Sequence, residues 1–156
     1  GPYATFYFEC FETMLAQIQE MLHIEKGGDV QLKDELEAYN PLIPKGKELI
    51  ATLMFEIDNP ITRADFLNKV GGIEEKAYIK IGNEKIKATP EKDIDRTSAE
   101  GKASSVQFLH FKFSDEQIKQ SKNLNTKIII GLDHPIYNHE INISNEVKDE
   151  LVKDFI

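Results

Sequence analysis

Cysteine is nearly missing from this chain: Cys10 stands alone among 156 residues. That excludes an internal disulfide framework and any cysteine-based zinc ribbon. Positive charge is also short, with 19 Lys and Arg against 27 Asp and Glu and a net charge of -8. A phosphate backbone is repelled on average by such a surface, and no Lys/Arg cluster marks a local nucleic-acid patch. No apolar run approaches the ~18 residues of a membrane span, and no basic region leads into an apolar stretch at the N-terminus. The expectation is a cytoplasmic protein with neither membrane nor nucleic acid as partner. Gly27-Gly28 and Gly71-Gly72 lack the spacing and the following Lys of a phosphate loop. Nor is there a Gly-x-Ser-x-Gly elbow or a His-Glu-x-x-His helix, so those enzyme classes drop out.

What is present describes a soluble globular chain of 17.8 kDa, 40% hydrophobic and 29% charged. One domain over residues 1–156 is expected. The opening Gly1-Pro2, without an initiator Met, fits a cleaved-tag remnant or an inner start, which leaves open an N-terminal segment that completes a site.

Periodicity supplies the elements. Tyr3 to Phe8 is rich in strand formers. Phe11, Met14, Leu15, Ile18, Met21 and Leu22 form a helical stripe that Gly27-Gly28 ends. Asp29 is placed to cap a shorter helix carrying Leu32, Leu36 and Tyr39, and Asn40-Pro41 stops it. Leu49 to Ile57 reads as a strand buried on both faces. Asp58-Asn59-Pro60 starts the next helix, which runs to Gly71-Gly72. Ala77 to Ile81 and Glu84 to Ala88 flank a Gly82-Asn83 hairpin turn, and Pro90 to Lys102 reads as a flexible loop. Ser104 to Phe113 alternates as a strand, Ser114 to Gln117 matches a capping box, and Lys127 to Leu132 is a further strand. Ile136 to Ile143 is extended, and Ser144 or Asn145 caps a last helix. Without strict alternation of strand and helix, the expected class is α+β: a mixed or mainly antiparallel sheet with several helices packed on it.

The densest polar group is Asp133-His134-Pro135-Ile136-Tyr137-Asn138-His139, at the end of an apolar strand. His134 and His139 are candidate ligands of a divalent metal ion, with Asp133 as a ligand or as the carboxylate that fixes an imidazole. The competing reading is a turn in which Asp133 bonds the backbone and Pro135 sets the bend. Glu20 and His23 have the Glu-x-x-His spacing of helical di-iron centres, but one such pair and too few long helices exclude a ferritin-like site. Glu9, Glu20 and Glu25 surround the first helix and are candidates for a cation, against the plainer reading of solvated charge. Cys10 lacks a resolving cysteine, and His110, inside an apolar strand, reads as a hydrogen-bonded structural residue.

Several blocks resemble a bacterial family known as domain of unknown function 3501. They are Phe8-Glu9, Gln17 to Leu22 with Glu25, Glu35 to Pro44, Ala51 to Met54, Asp95-Arg96-Thr97, Ser104 to Leu109 and Gly131 to Tyr137. The block Ala38-Tyr39-Asn40-Pro41-Leu42-Ile43-Pro44 is the most distinctive. Family members carry His where this chain has Gln107 and Asn where it has Cys10, so a ligand role for that His would not transfer. The resemblance supplies no reaction. It implies a setting in redox or iron handling, with a rubrerythrin-like or iron–sulfur redox protein as partner. The leading expectation is an accessory protein whose partner surface surrounds Asp133, His134 and Tyr137, with Arg96, Tyr39 and Asn40 as further candidates. The alternative is a metal-dependent enzyme built around the Asp-His-Pro loop, in which His134 meets Glu9, Glu20 or Arg96 through the fold.

Overall fold

The structure is a computed structural model that describes residues 2–91 and 97–156. Strand β1 (Ala4–Glu9) leads into α1 (Phe11–Glu25) and α2 (Gly28–Tyr39). A 3-10 turn (Asn40–Leu42) precedes β2 (Glu48–Phe55), followed by α3 (Pro60–Lys69) and the hairpin β3 (Ala77–Ile81) and β4 (Glu84–Lys87). The two-residue β5 (Thr89–Pro90), then β6 (Val106–Lys112), α4 (Asp115–Ser121), β7 (Ile128–His134), β8 (Tyr137–Asn142) and α5 (Asn145–Leu151) complete the order.

The strands form two four-stranded sheets, ordered β1-β2-β6-β5 and β4-β3-β7-β8, with antiparallel neighbours throughout. The protein is therefore α+β. Alternation turns Leu49, Ala51, Leu53 and Phe55 of β2, and Leu109 and Phe111 of β6, toward one core. Ala77, Ile79 and Ile81 of β3 and Ile128, Ile130 and Leu132 of β7 meet them there, so both sheets close on the same apolar interior. The other face of β2 is covered too. Ile50 packs with Met14 of α1 and Leu42, while Phe108 and Tyr39 border this second cluster. That explains why β2 is apolar along nearly its whole length.

Local chemistry sets the boundaries. Asn59 Oδ1 accepts the N–H groups of Ile61 and Thr62 and starts α3 ahead of Pro60. Ser114 and Gln117 cap α4 reciprocally, and Ser144 caps α5. Gly82 takes φ 58° in the β3–β4 turn.

Three expectations shift. Gly27, not Asp29, is the N-cap of α2: α1 ends with Lys26 in the left-handed region, and the Gly27 N–H is taken by Gln31 Oε1 at 2.7 Å. The helical leucines of α2 face outward and Gln31 is its buried residue, bonding the Met21 carbonyl at 3.0 Å. The loop Pro90 to Lys102 lies partly outside the described residues. Its described part is tied down, with Thr97 bridged to Ala103 and its hydroxyl on Glu74 at 2.8 Å.

Candidate functional site

The Asp133–His139 segment is a tight β7–β8 hairpin. His134 pairs with Tyr137 across the two-residue turn Pro135-Ile136. Strand β7 runs two residues past Leu132, so Asp133 and His134 point to opposite faces. Asp133 lies on the solvent face, accepts a hydrogen bond from Lys85 Nζ at 2.9 Å, and is held below the usual carboxylate range by that bond and charge. His134 is buried, and its Nδ1 accepts the Ile136 N–H at 3.2 Å. His139 is exposed, with its ring 4.5 Å from that of Tyr137. Tyr137 is buried in an aromatic cluster with Tyr3, Phe55 and Phe66, and its hydroxyl accepts the N–H groups of Tyr3 and Ala4.

The other sequence candidates are scattered. Glu20 is exposed on α1, Tyr39 borders the second apolar cluster, and Asn40 is exposed at the 3-10 turn. Arg96 lies outside the described residues. Among the described residues, no three of His, Cys, Asp and Glu are grouped to hold a metal ion.

Two places do gather chemistry. At the first, His110 on β6 sits between two carboxylates: Nε2 is 2.7 Å from Glu91 and Nδ1 is 3.4 Å from Glu48. Register explains it, because Ile50 pairs with His110 and Glu48 lies two residues before it on the same face. Pro41, Lys45, Thr89, Pro90 and Lys112 complete a cleft of about 360 Å³. Sequence reading placed His110 in an apolar strand as a hydrogen-bonded structural residue and did not find its partners, which the β2–β6 register and the pairing of β5 with β6 bring to it.

The second place is larger, a groove of about 770 Å³ along β1. One wall is α1, with Met14 and Gln17; the other is α5, with Val147 and Leu151. Phe6, Phe8 and Met54 line it between them, and most of its lining is apolar. β1 is the outermost strand of its sheet, so the groove runs beside a strand edge. Glu9 sits at one end, 9% exposed. Its two carboxylate oxygens accept the hydroxyls of Thr52 and Thr13, the latter at 2.7 Å. Of the sequence candidates among the described residues, only Glu9 lines this groove. The signal that could have pointed to it is β1 itself, an aromatic-rich strand followed at once by a helix.

The chain belongs to the family described as protein of unknown function (DUF3501), whose model matches residues 1–155. It is also similar to a crystal structure of a protein of unknown function from Burkholderia pseudomallei, at 34% sequence identity and a TM-score of 0.89. That similarity covers 99% of this chain and 80% of the other. No curated protein matches.

Proposed function

We propose that this protein is an accessory binding protein that seats a protein partner in the groove between α1 and α5. The observation that carries the reading is the pairing of a large apolar groove with an outermost strand. Pockets rich in apolar lining with a few placed polar groups are the usual binding sites, and strand edges are recognition surfaces in their own right. The groove takes the place of the hairpin surface around Asp133, His134 and Tyr137, since the Tyr137 ring and hydroxyl are engaged within the fold. The setting in redox or iron handling comes from the family resemblance, and it names the partners to try first: a purified rubrerythrin-like protein and an iron–sulfur oxidoreductase.

The test is biolayer interferometry of the full chain against each of these partners, beside Val147→Arg, which places a charge in the half-exposed α5 wall. Saturable binding that Val147→Arg weakens by about ten-fold or more supports the reading. Binding indifferent to Val147→Arg moves the docking surface elsewhere, and no binding to either partner removes the redox setting.

A second reading, an enzyme, is favoured by the imidazole of His110 held between Glu48 and Glu91 in its own cleft. A carboxylate beside each nitrogen fixes the orientation of the ring, a standard arrangement for general acid–base work. The metal-dependent version built on Asp133 and His134 has less support, because those side chains diverge. Turnover abolished by His110→Gln, in a protein whose fold is unchanged, would select the enzyme.

A further inference from the structure

If the groove seats a partner, its backbone and its charge specify what kind of segment fits. The Glu56 N–H bonds the Tyr3 carbonyl at 2.8 Å, which sets the phase of the β1–β2 ladder. The Tyr3 carbonyl and the backbone groups of Thr5, Tyr7 and Glu9 therefore turn toward β2, while Ala4, Phe6 and Phe8 turn theirs outward. The Ala4 N–H is taken by the Tyr137 hydroxyl at 3.1 Å. Phe6 and Phe8 remain, and both line the groove. A strand laid there meets two residues' worth of outward N–H and C=O groups. Its alternate side chains fall against Phe6, Phe8, Val147 and Leu151.

Charge breaks the symmetry of the groove, with Glu146 on its α5 wall but Glu9, Glu12, Glu150 and Asp154 gathered toward one end. Past Glu9 it continues into a second cavity of about 400 Å³ that shares Phe8, Glu9, Glu150 and Leu151 with the first. This end adds Cys10, Glu12, Lys153 and Asp154. Lys153, its one ammonium group, is already paired with Glu150 at 2.6 Å. Burial, and then the negative charge of Glu12, push the Asp154 carboxyl above its ordinary value. Glu9 is nine-tenths buried on threonine hydroxyls, and among the described residues it has no cation within salt-bridge distance. A cation brought beside this carboxylate adds a Coulombic attraction that the neutral threonine hydroxyls do not supply.

We infer that the groove is a strand-addition site for an extended segment of a partner protein, apolar at alternate positions and carrying lysine or arginine where it reaches Glu9, Glu12 and Asp154. Main-chain hydrogen bonds to Phe6 and Phe8 hold the segment, and the apolar positions give it its phase. The basic end gives direction and discriminates against acidic segments.

The experiment uses the full chain, labelled with nitrogen-15, and two probe peptides of about eight residues. One has two lysines followed by alternating valine and threonine, and in the other glutamates replace the lysines. The lysine peptide is expected to bind, to slow amide exchange at Phe6 and Phe8, and to shift the Val147 resonance. The glutamate peptide should bind about ten-fold or more weakly, and Glu12→Lys, an exposed change, should narrow that gap. Equal binding of the two peptides overturns the charge assignment. Binding without protection of Phe6 and Phe8 overturns strand addition, as does their protection in the free protein by pairing with a second copy. If neither peptide binds while a protein partner still binds in a Val147-dependent way, strand addition is wrong and the groove remains the docking site. If both fail, both readings fall.

Discussion

The Tyr137 hydroxyl lies 3.1 Å from the Ala4 amide nitrogen and accepts its N–H, tying the β7–β8 hairpin of one sheet to the edge strand of the other. The same oxygen accepts the Tyr3 N–H at 3.1 Å. Tyr137→Phe keeps the ring among Tyr3, Phe55 and Phe66 but leaves two N–H groups without their acceptor. The expected cost is about 1–3 kcal/mol, measured by urea unfolding, with faster amide exchange at Tyr3 and Ala4. Unchanged stability and exchange would mean that water replaces the phenol fully.

Gly131 occupies a crowded place in β7. A Cβ there would lie 2.6 Å from the Tyr78 hydroxyl oxygen and 2.8 Å from the Glu140 Cβ. Those neighbours sit opposite it on β3 and β8, so neither retreats without disturbing the ladder. Gly131→Ala is expected to destabilise by about 1–3 kcal/mol, read from the denaturation midpoint. A stabilised variant would show that the sheet yields at this point.

Tyr78 supplies the pH prediction. Burial, with the carboxylates of Glu140 and Asp133, pushes its phenol up to about 12 from an ordinary 10.0. The unfolded chain loses this proton near pH 10 and the folded chain near pH 12. Between those values the native state holds more protons, so stability falls as pH rises through that window. Tyr78→Phe should flatten this slope in alkaline unfolding and remove the latest component of the tyrosinate absorbance. A Tyr78 that ionises with the exposed tyrosines would contradict the assignment.

Lys148 is a buried lysine, 4% exposed, whose ammonium donates to the carbonyls of Asn123 and Thr126 at 2.5 and 2.6 Å. It ties α5, one wall of the groove, to the loop before β7. Lys148→Met leaves the Thr126 carbonyl without its donor and the Asn123 carbonyl with only the Thr126 N–H, and a loss of about 1–3 kcal/mol is expected in thermal or urea unfolding. No loss would assign the anchoring of α5 to Leu151 alone.

Most of the fold was legible because it is written in short-range pattern. The alternation of Leu109 and Phe111 against Val106, Phe108 and His110 appears in the structure as a buried face of β6 and a half-buried one. The caps at Asn59, Ser114 and Ser144 likewise work through neighbours two or three residues away. The site was less legible because it depends on register and on parity. Two further residues of pairing at the end of β7 put Asp133 and His134 on opposite faces, which their adjacency in sequence concealed. Glu48 and Glu91 reach His110 only through the β2–β6 register and the pairing of β5 with β6. The groove draws on β1, α1 and α5, elements from both ends of the chain, and no local spacing announces that meeting. The burial of Lys148 leaves no mark in the sequence, since nothing nearby reveals the two carbonyls that receive it.

The measurement that bears most directly on the proposed function is a hydrogen-exchange footprint of the full chain with and without a bound protein partner. The groove reading predicts protection concentrated on Phe6 to Glu9 and on Val147 to Leu151, with the β7–β8 hairpin unchanged. Protection centred on Asp133 to His139, with β1 and α5 exchanging as in the free protein, would contradict it and return the docking surface to the hairpin.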